Sequence, residues 1–416
     1  MDNPAGPSIL RPMHDPQHIV IVGGGLTGPL MALALARAGL RCTVIDAKPE
    51  TVRRNAAFDG RSYAVALTSR RLLDNLELWD RLEPDAQAIL QIKVSDGRAG
   101  AGASPLWLGF DHAEIEEGPM GHMVQDRFLR RALLDAIAAE PSITHLSGAE
   151  VVGQSAGPAG IEVTLADGTT LHAALLIGAD GRSSGSGTRA GIRRIEKRYD
   201  QTALVAAVEH AEPHNGTAHQ YFMPSGPLAI LPLPGNRSSI VWSERAETAR
   251  DFMALNDADF LTVLRPRFGS FLGDIKLAGK RWSYPLGLTL AQRMVADRVA
   301  LIGDAAHGVH PIAGQGLNAG MRDIAALADI IGGAAARGED VGGPGALARF
   351  QDWRGFDNTA LALATDSFNR LFSNDNPLLR GIRTAGLGLV SAAPRLRRSF
   401  IREAAGLTGT LPELMR

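Results

Sequence analysis

Near the N-terminus, Gly23-Gly24-Gly25-Leu26-Thr27-Gly28 carries the spacing GxGxxG between two apolar runs. Each glycine at this spacing has a separate task. The first permits a tight turn, the second lets backbone approach a pyrophosphate, and the third allows close packing of the next helix. A helix starting there offers unpaired N–H groups to phosphate oxygens. The acid Asp46 closes the next apolar run, where its carboxylate can accept hydrogen bonds from a ribose diol. Gly23, Gly25, Gly28 and Asp46 together point to a bound dinucleotide and leave NAD and FAD equally open.

This chemistry needs a strand before the glycines and a helix after them. Residues 18–22 read as a short buried strand, residues 30–38 as an Ala-rich helix that Gly39 ends, and residues 41–46 as a second strand. That order predicts a βαβ unit on a parallel sheet. Pro29 is compatible with it, because a first helical turn does not use the N–H that proline lacks. Between 150 and 180 the texture becomes alternating, with a turn at Asp167-Gly168 and an extended run over 171–177, so an antiparallel hairpin is expected. Residues 200–290 add strand-like segments at 228–232 and 238–242, which suggests a mainly β domain inserted into the first. Residues 298–302 read as another short strand, 317–336 as a helix, and the chain beyond 345 as helical to its end.

Composition sets the outer limits. The 416 residues are 45% hydrophobic and suffice for two connected domains. The 43 basic and 44 acidic residues leave a net charge of -1, and no nucleic-acid partner is expected. The lone Cys42 excludes an internal disulfide framework and a Cys-rich metal site; it reads as a structural thiol suited to a reducing compartment. The first eighteen residues hold four prolines and no apolar core behind a positive charge, so a tail is expected rather than a signal peptide. No apolar run is long enough to span a bilayer. A cytoplasmic protein is expected, attached at most peripherally at the inner face of the membrane.

The second half of the chain separates FAD from NAD. It contains Gly303-Asp304-Ala305-Ala306-His307, then His310-Pro311-Ile312-Ala313-Gly314-Gln315-Gly316-Leu317-Asn318. With these motifs the sequence resembles the class A flavoprotein monooxygenases, of which para-hydroxybenzoate hydroxylase is one, and more narrowly the UbiH-type hydroxylases of ubiquinone biosynthesis. The resemblance covers nearly the whole chain. It implies FAD as cofactor, with Asp304 of the GD motif on the ribitol. The loop and helix start formed by Gly314, Gln315, Gly316, Leu317 and Asn318 would face the flavin pyrimidine, and the Pro311 carbonyl the substrate side of the ring. Negative charge on reduced flavin would be stabilised there. By the same resemblance Arg61, in Asp59-Gly60-Arg61, and Arg127, in Gln125-Asp126-Arg127, reach FAD. Asp180 belongs to a DG motif that touches FAD and a transient nicotinamide site. The sequence departs from the family at Gly187, where an arginine is usual, with Arg189 two positions on.

The function implied by this resemblance is that of an FAD-dependent aromatic hydroxylase. It would draw electrons from NAD(P)H, form a flavin C4a-hydroperoxide with O₂, and transfer one oxygen to a polyprenylated phenol in ubiquinone biosynthesis. A hydroxylase of another aromatic substrate and a flavin-binding scaffold of a quinone-synthesis complex stay open as alternatives. His307 and His310 read as loop packing before they read as bases. Gly181-Arg182-Ser183-Ser184-Gly185 fits a GxSxG nucleophile elbow formally, but Gly185-Ser186-Gly187 predicts a flexible turn where an elbow needs a helix. Arg380, Arg383, Arg395, Arg397, Arg398 and Arg402 punctuate the apolar stretch 378–407, which suits peripheral membrane or complex association as well as an ordinary packed helix.

The expected fold class is α/β: a Rossmann-like FAD-binding domain from discontinuous segments, an inserted β-sheet substrate domain, and a helical C-terminus. In residues this gives a tail over 1–17, an FAD domain from 18–85, 120–195 and 295–345, a substrate domain from 86–119 and 196–294, and a helical region over 346–416.

Overall fold

The computed structural model describes residues 17–58, 60–100, 102–309, 314–372 and 393–416. Its first layer grows from the N-terminal apolar run. Strand β1 (Ile19–Val22) is fully buried, as is β2 (Cys42–Asp46), and helix α1 (Thr27–Arg37) connects them. A strand covered on both faces needs an unbroken apolar sequence, which Ile-Val-Ile-Val provides. β1 lies parallel between β2 and Leu175–Gly178, with Ile19 opposite both Cys42 and Leu175. The complete six-stranded sheet runs Val295–Ala296, Val299–Leu301, Leu175–Gly178, β1, β2, Ile143–Ser147. The helices α1, Asp126–Ala139 and Gln315–Ala336 contribute to the same core, as do Ile161, Val163 and Leu165 of a three-stranded antiparallel layer.

The expected hairpin is there as Val151–Gly157, Gly160–Leu165 and Thr170–Ala173. The extended run over 171–177 is not one strand, however. The chain leaves the antiparallel layer after Ala173 and enters the parallel sheet at Leu175, with the Ala174 N–H donating to the His18 carbonyl. Both segments are apolar and extended, so composition does not mark the change of sheet.

A second, nine-stranded sheet combines Gln91–Arg98 and Gly102–Asp111 with the strands between Arg194 and Ala291, and ends on the two-residue strand His307–Gly308. Its side chains alternate by face, as the pleat requires. Leu204, Val208, Leu228, Ile230, Ile240 and Trp242 pack on Phe260, Leu264 and Phe268 of the helix Asp257–Phe268. Ala207, Ala218 and Leu233 join Leu67, Met120, Met123 and Ile401 in a separate apolar layer. A small sheet of Ser62–Ala66, Gly121–Gln125 and Gln87–Ile89 completes the strands named in the sheets.

Beyond residue 343 the described chain is helical at Pro344–Phe372 and Pro394–Ala404, with a short 3-10 turn at Glu413–Met415. Arg380 and Arg383 lie outside the described residues. Among those described, no helix is long and apolar enough to cross a membrane, and no group of three His, Cys, Asp or Glu residues could hold a metal.

Candidate active site

The glycine loop is built as its spacing demands. Gly23 has φ +116°, and a Cβ there would lie 2.3 Å from the Ala179 carbonyl oxygen. A Cβ on Gly28 would come within 1.9 Å of the Gly23 oxygen, so this third glycine lets α1 start against the turn. Gly25 differs, since a Cβ on it would meet nothing within 4 Å. It opens onto free space at the start of α1, whose first turn has no acidic residue and no side-chain cap. Uncapped N–H groups beside an open glycine are what a pyrophosphate requires.

Asp46 is buried next to this loop; a Cβ on Gly24 would lie 2.5 Å from its Oδ2. Its oxygens are already engaged: Arg53 donates from Nε to Oδ2 at 2.6 Å and from Nη2 to Oδ1 at 2.9 Å, and the Lys48 N–H donates to Oδ1 at 3.1 Å. A carboxylate accepts about four hydrogen bonds. One place therefore remains for a ribose hydroxyl, and Arg53, which no sequence motif marks, orients the group that would accept it.

The GD motif meets the same helix start from the other side. Gly303 has φ +59°, and a Cβ on it would be 3.1 Å from the Thr27 hydroxyl oxygen. The turn also lies against the long helix, where a Cβ on Gly320 would sit 3.2 Å from the Gly303 Cα. That helix, Gln315–Ala336, starts from Gly314, whose left-handed φ of +64° suits glycine, and its first turn again has no side-chain cap and no acid. Two uncapped helix N-termini thus flank the Gly303-Asp304 turn. Gly316 and Leu317 are half-buried at the second of them, as is Gln315. The Asn318 side chain fixes this helix start in place. Its amide accepts from the Ala66 N–H at 2.9 Å and donates to the Ala64 and Gly314 carbonyls at 2.9 and 3.1 Å, tying the helix to the strand Ser62–Ala66. Pro311, with His310, lies outside the described residues.

Arg61 is brought to this group by a residue the sequence did not single out. Asp126 is buried and accepts from Arg61 Nη2 at 3.1 Å, Arg130 Nε at 2.7 Å and the Tyr63 hydroxyl at 3.2 Å. Burial, with the Asp126 charge beside it, holds the Tyr63 phenol well above its usual range. Arg127 is not part of this cluster. Its guanidinium lies over the Phe58 and Phe128 rings at 5.3 and 4.5 Å, and Nε donates to Gln125 Oε1 at 3.0 Å.

The DG segment holds two surprises. The expected flexible turn at 185–187 is a short helix, Gly185–Arg189. Asp180 Oδ2 accepts from the Ser186 N–H at 2.9 Å, and Ser184 caps the helix by accepting from the Gly187 N–H at 3.0 Å. These two caps are the physical reason that three small residues become helical. Ser184 is nevertheless fully buried, so it presents no nucleophile. The second surprise concerns the cation missing at Gly187. Arg189 turns away to Gln154 at 3.2 Å, whereas Arg194 fills the space: a Cβ on Gly187 would sit 3.2 Å from its Nη2. Arg194 donates to the carbonyls of Arg182 at 2.6 Å and Ala305 at 3.1 Å, joining the DG and GD segments. Across the same junction Arg182 Nε pairs with Asp304 Oδ2 at 3.3 Å. Asp180 Oδ1 is buried without a partner among the described residues.

Chain neighbours alone could have hinted at Asp126, which opens a helix beside Gln125 and Arg127. Nothing local marks Arg194 or Arg53. Taken together, the open glycine, the two uncapped helix starts and the acid beside the loop fit an elongated, phosphate-bearing dinucleotide such as FAD.

Known proteins agree with that geometry. A family profile described as an FAD binding domain matches residues 17–341. The ubiquinone hydroxylase UbiL of Rhodospirillum rubrum is 44% identical over 95% of this chain and 91% of its own length. The 3-demethoxyubiquinol 3-hydroxylase of Escherichia coli is 33% identical over 95% of this chain and 100% of its own. Among solved structures, p-nitrophenol 4-monooxygenase PnpA from Pseudomonas putida superimposes with a TM-score of 0.77 at 18% identity, covering 94% of this chain and 98% of that one, and shows the shared fold.

Proposed function

The chain belongs to the FAD-binding-domain family of FAD-dependent monooxygenases, and from that premise we propose that it hydroxylates the aromatic ring of a polyprenylated phenol in ubiquinone biosynthesis, with electrons from NAD(P)H. The observation that carries the substrate is the near full-length similarity to a ubiquinone hydroxylase.

Bound FAD supplies the redox and oxygen chemistry. The chain's own residues hold and orient it. Gly25 and the start of α1 would take the pyrophosphate, Asp46 the adenosine ribose, and the Gly303-Asp304 turn the ribitol side. The start of the Gln315–Ala336 helix would offer partial positive charge to the pyrimidine edge of a bound flavin and would favour negative charge there. Tyr63 and Arg61 are fixed by Asp126 on and beside the strand that Asn318 ties to this helix start.

The test is direct. Protein loaded with FAD should oxidise NAD(P)H faster when a prenylated phenol is added and release that phenol with one extra oxygen, read by mass spectrometry. Stimulation by soluble phenols alone, with no loss of quinone on gene deletion, would overturn the substrate. NAD(P)H oxidation that no phenol stimulates would favour a scaffold.

Peripheral attachment belongs to the same proposal. The helix Pro394–Ala404 exposes Leu396 and Phe400 alongside Arg395 and Arg398, while Arg397 and Arg402 pair with Glu114 and Glu117. A basic face with apolar side chains suits an anionic bilayer. Co-sedimentation with phosphatidylglycerol vesicles that survives Leu396→Ser with Phe400→Ser would refute it.

A further inference from the structure

Two turns into the Gln315–Ala336 helix lies the most heavily bonded side chain near the site. Asp323 is completely buried and accepts four hydrogen bonds. Its Oδ2 takes the Gly303 N–H at 3.1 Å and His307 Nε2 at 2.5 Å; its Oδ1 takes Arg354 Nε at 2.9 Å and Asn358 Nδ2 at 3.0 Å. Four donors fill a carboxylate's capacity. Arg354, itself buried and always protonated, balances the charge, which a carboxylate at this depth requires. The His307 Nδ1 atom is buried with no partner among the described residues, and within that set Asp323 alone bonds the ring.

We propose that Asp323 is a positioning residue for the flavin: its Oδ2 fixes the Gly303-Asp304 turn at a set height on the helix whose N-terminus faces the pyrimidine. The turn packs on the Thr27 end of α1 and on the Gly320 face of the long helix, van der Waals contacts that permit sliding. Arg194 at the Ala305 carbonyl and Arg182 at Asp304 tie it to the DG segment. Among the described residues its hydrogen bond to a side chain of the long helix is the one from the Gly303 N–H to Asp323, directional and to a buried charge, and this sets register against that helix. The Oδ1 half of the same carboxylate points to the Pro344–Phe372 helix and serves packing instead. One side chain therefore divides into a site half and a scaffold half, and the two can be tested apart.

Asp323→Asn presents an amide NH₂ to one pair of donors. With its oxygen retained by Arg354, the NH₂ faces Gly303 and His307; His307 can adapt by changing tautomer, but the Gly303 N–H cannot. The expected results for the apoprotein are amide hydrogen exchange at Gly303 at least tenfold faster, and an FAD Kd raised at least tenfold. Asn358→Ala removes a donor from Oδ1 and the acceptor of Arg354 Nη2, leaves both bonds of Oδ2 in place, and should lower Tm while leaving the FAD Kd within about twofold. Gly320→Ala displaces the turn from its other side by a few tenths of an ångström with the carboxylate intact, and should weaken FAD several-fold even if Asp323→Asn does not fold. The proposal falls if folded Asp323→Asn keeps both the exchange rate and the Kd, if Asn358→Ala weakens FAD equally, or if Gly320→Ala binds FAD normally. It rests on the FAD site and not on the substrate, so a chain that binds FAD and hydroxylates no phenol would leave it standing.

Discussion

Gly25 and Gly28 belong to one motif yet should fail in opposite ways when each becomes alanine. In Gly28→Ala the new methyl would sit 1.9 Å from the Gly23 oxygen, against about 3.5–4.0 Å for comfortable contact, so the loop or α1 must move. Overpacking of this kind costs about 1–3 kcal/mol or more, and the apoprotein should lose roughly 1 °C of Tm per kcal/mol. In Gly25→Ala the methyl meets no atom within 4 Å, and Gly25 is not among the positive-φ glycines. Folding should then be unchanged or favoured by about 0.4–1 kcal/mol through the unfolded chain. FAD has the opposite sensitivity. A methyl at Gly25 holds the pyrophosphate off the helix amides, and losing one or two charge-assisted hydrogen bonds at about 1.5–3 kcal/mol each amounts to about 3 kcal/mol, or roughly 150-fold in Kd. Scanning calorimetry of the two apoproteins and titration of each with FAD, followed by quenching of flavin fluorescence, measure both quantities. Unchanged FAD affinity in Gly25→Ala, or an apoprotein as destabilised as Gly28→Ala, would refute the assignment of open space to the cofactor.

Three further outcomes are expected. Arg194→Met leaves the Arg182 and Ala305 carbonyls without their shared donor, so stability should fall by about 2 kcal/mol and flavin reduction by NAD(P)H should slow in stopped-flow traces; reduction at the wild-type rate would remove Arg194 from the site. Ser184→Ala loses a helix cap worth about 1 kcal/mol and should leave hydroxylation intact, whereas complete loss of turnover in a folded protein would revive the nucleophile reading. Burial, helped by the neighbouring Arg70 and Lys93 charges, pushes His122 and His219 down to about 4. The unfolded chain then binds more protons than the folded one below its own histidine pKa near ~6.5. Stability should be full above that pH and fall as pH drops toward 4, at about 1.4 kcal/mol per histidine for each tenfold difference in proton affinity. Urea unfolding of His122→Gln with His219→Gln should show a flatter acid limb, and an unchanged limb would contradict this.

What the sequence made legible was local or carried by long motifs. The unit from Ile19 to Asp46 could be read because its strand, glycines, helix and acid succeed one another within a single stretch. The helix Gln315–Ala336 was visible in its Ala and Leu content, and its flanking motif carried the family. Partners far apart in sequence were not legible. Asp126 meets Tyr63 across 63 positions, and Arg194 meets Ala305 across 111. No spacing rule spans such gaps. Gly185 to Gly187 misled for a different reason: three small residues favour a turn until Asp180 and Ser184 cap them from outside. Asn318 was visible in its motif, but its side-chain partners at Ala64 and Ala66, which hold the helix start, lie too far away in sequence for any spacing to show.

The order of the parallel sheet has a consequence during synthesis. β1 pairs with Leu175–Gly178, which in turn pairs with Val299–Leu301. About 280 residues separate β1 from that last strand. At roughly 5–20 residues per second on the ribosome, the glycine loop waits roughly a quarter of a minute to a minute for the Gly303 turn that completes its site. During that interval the Leu175–Gly178 strand exposes an apolar edge open to wrong pairing. A nascent chain of this topology should therefore draw on chaperones, and free FAD cannot rescue it before the Gly303 turn has emerged.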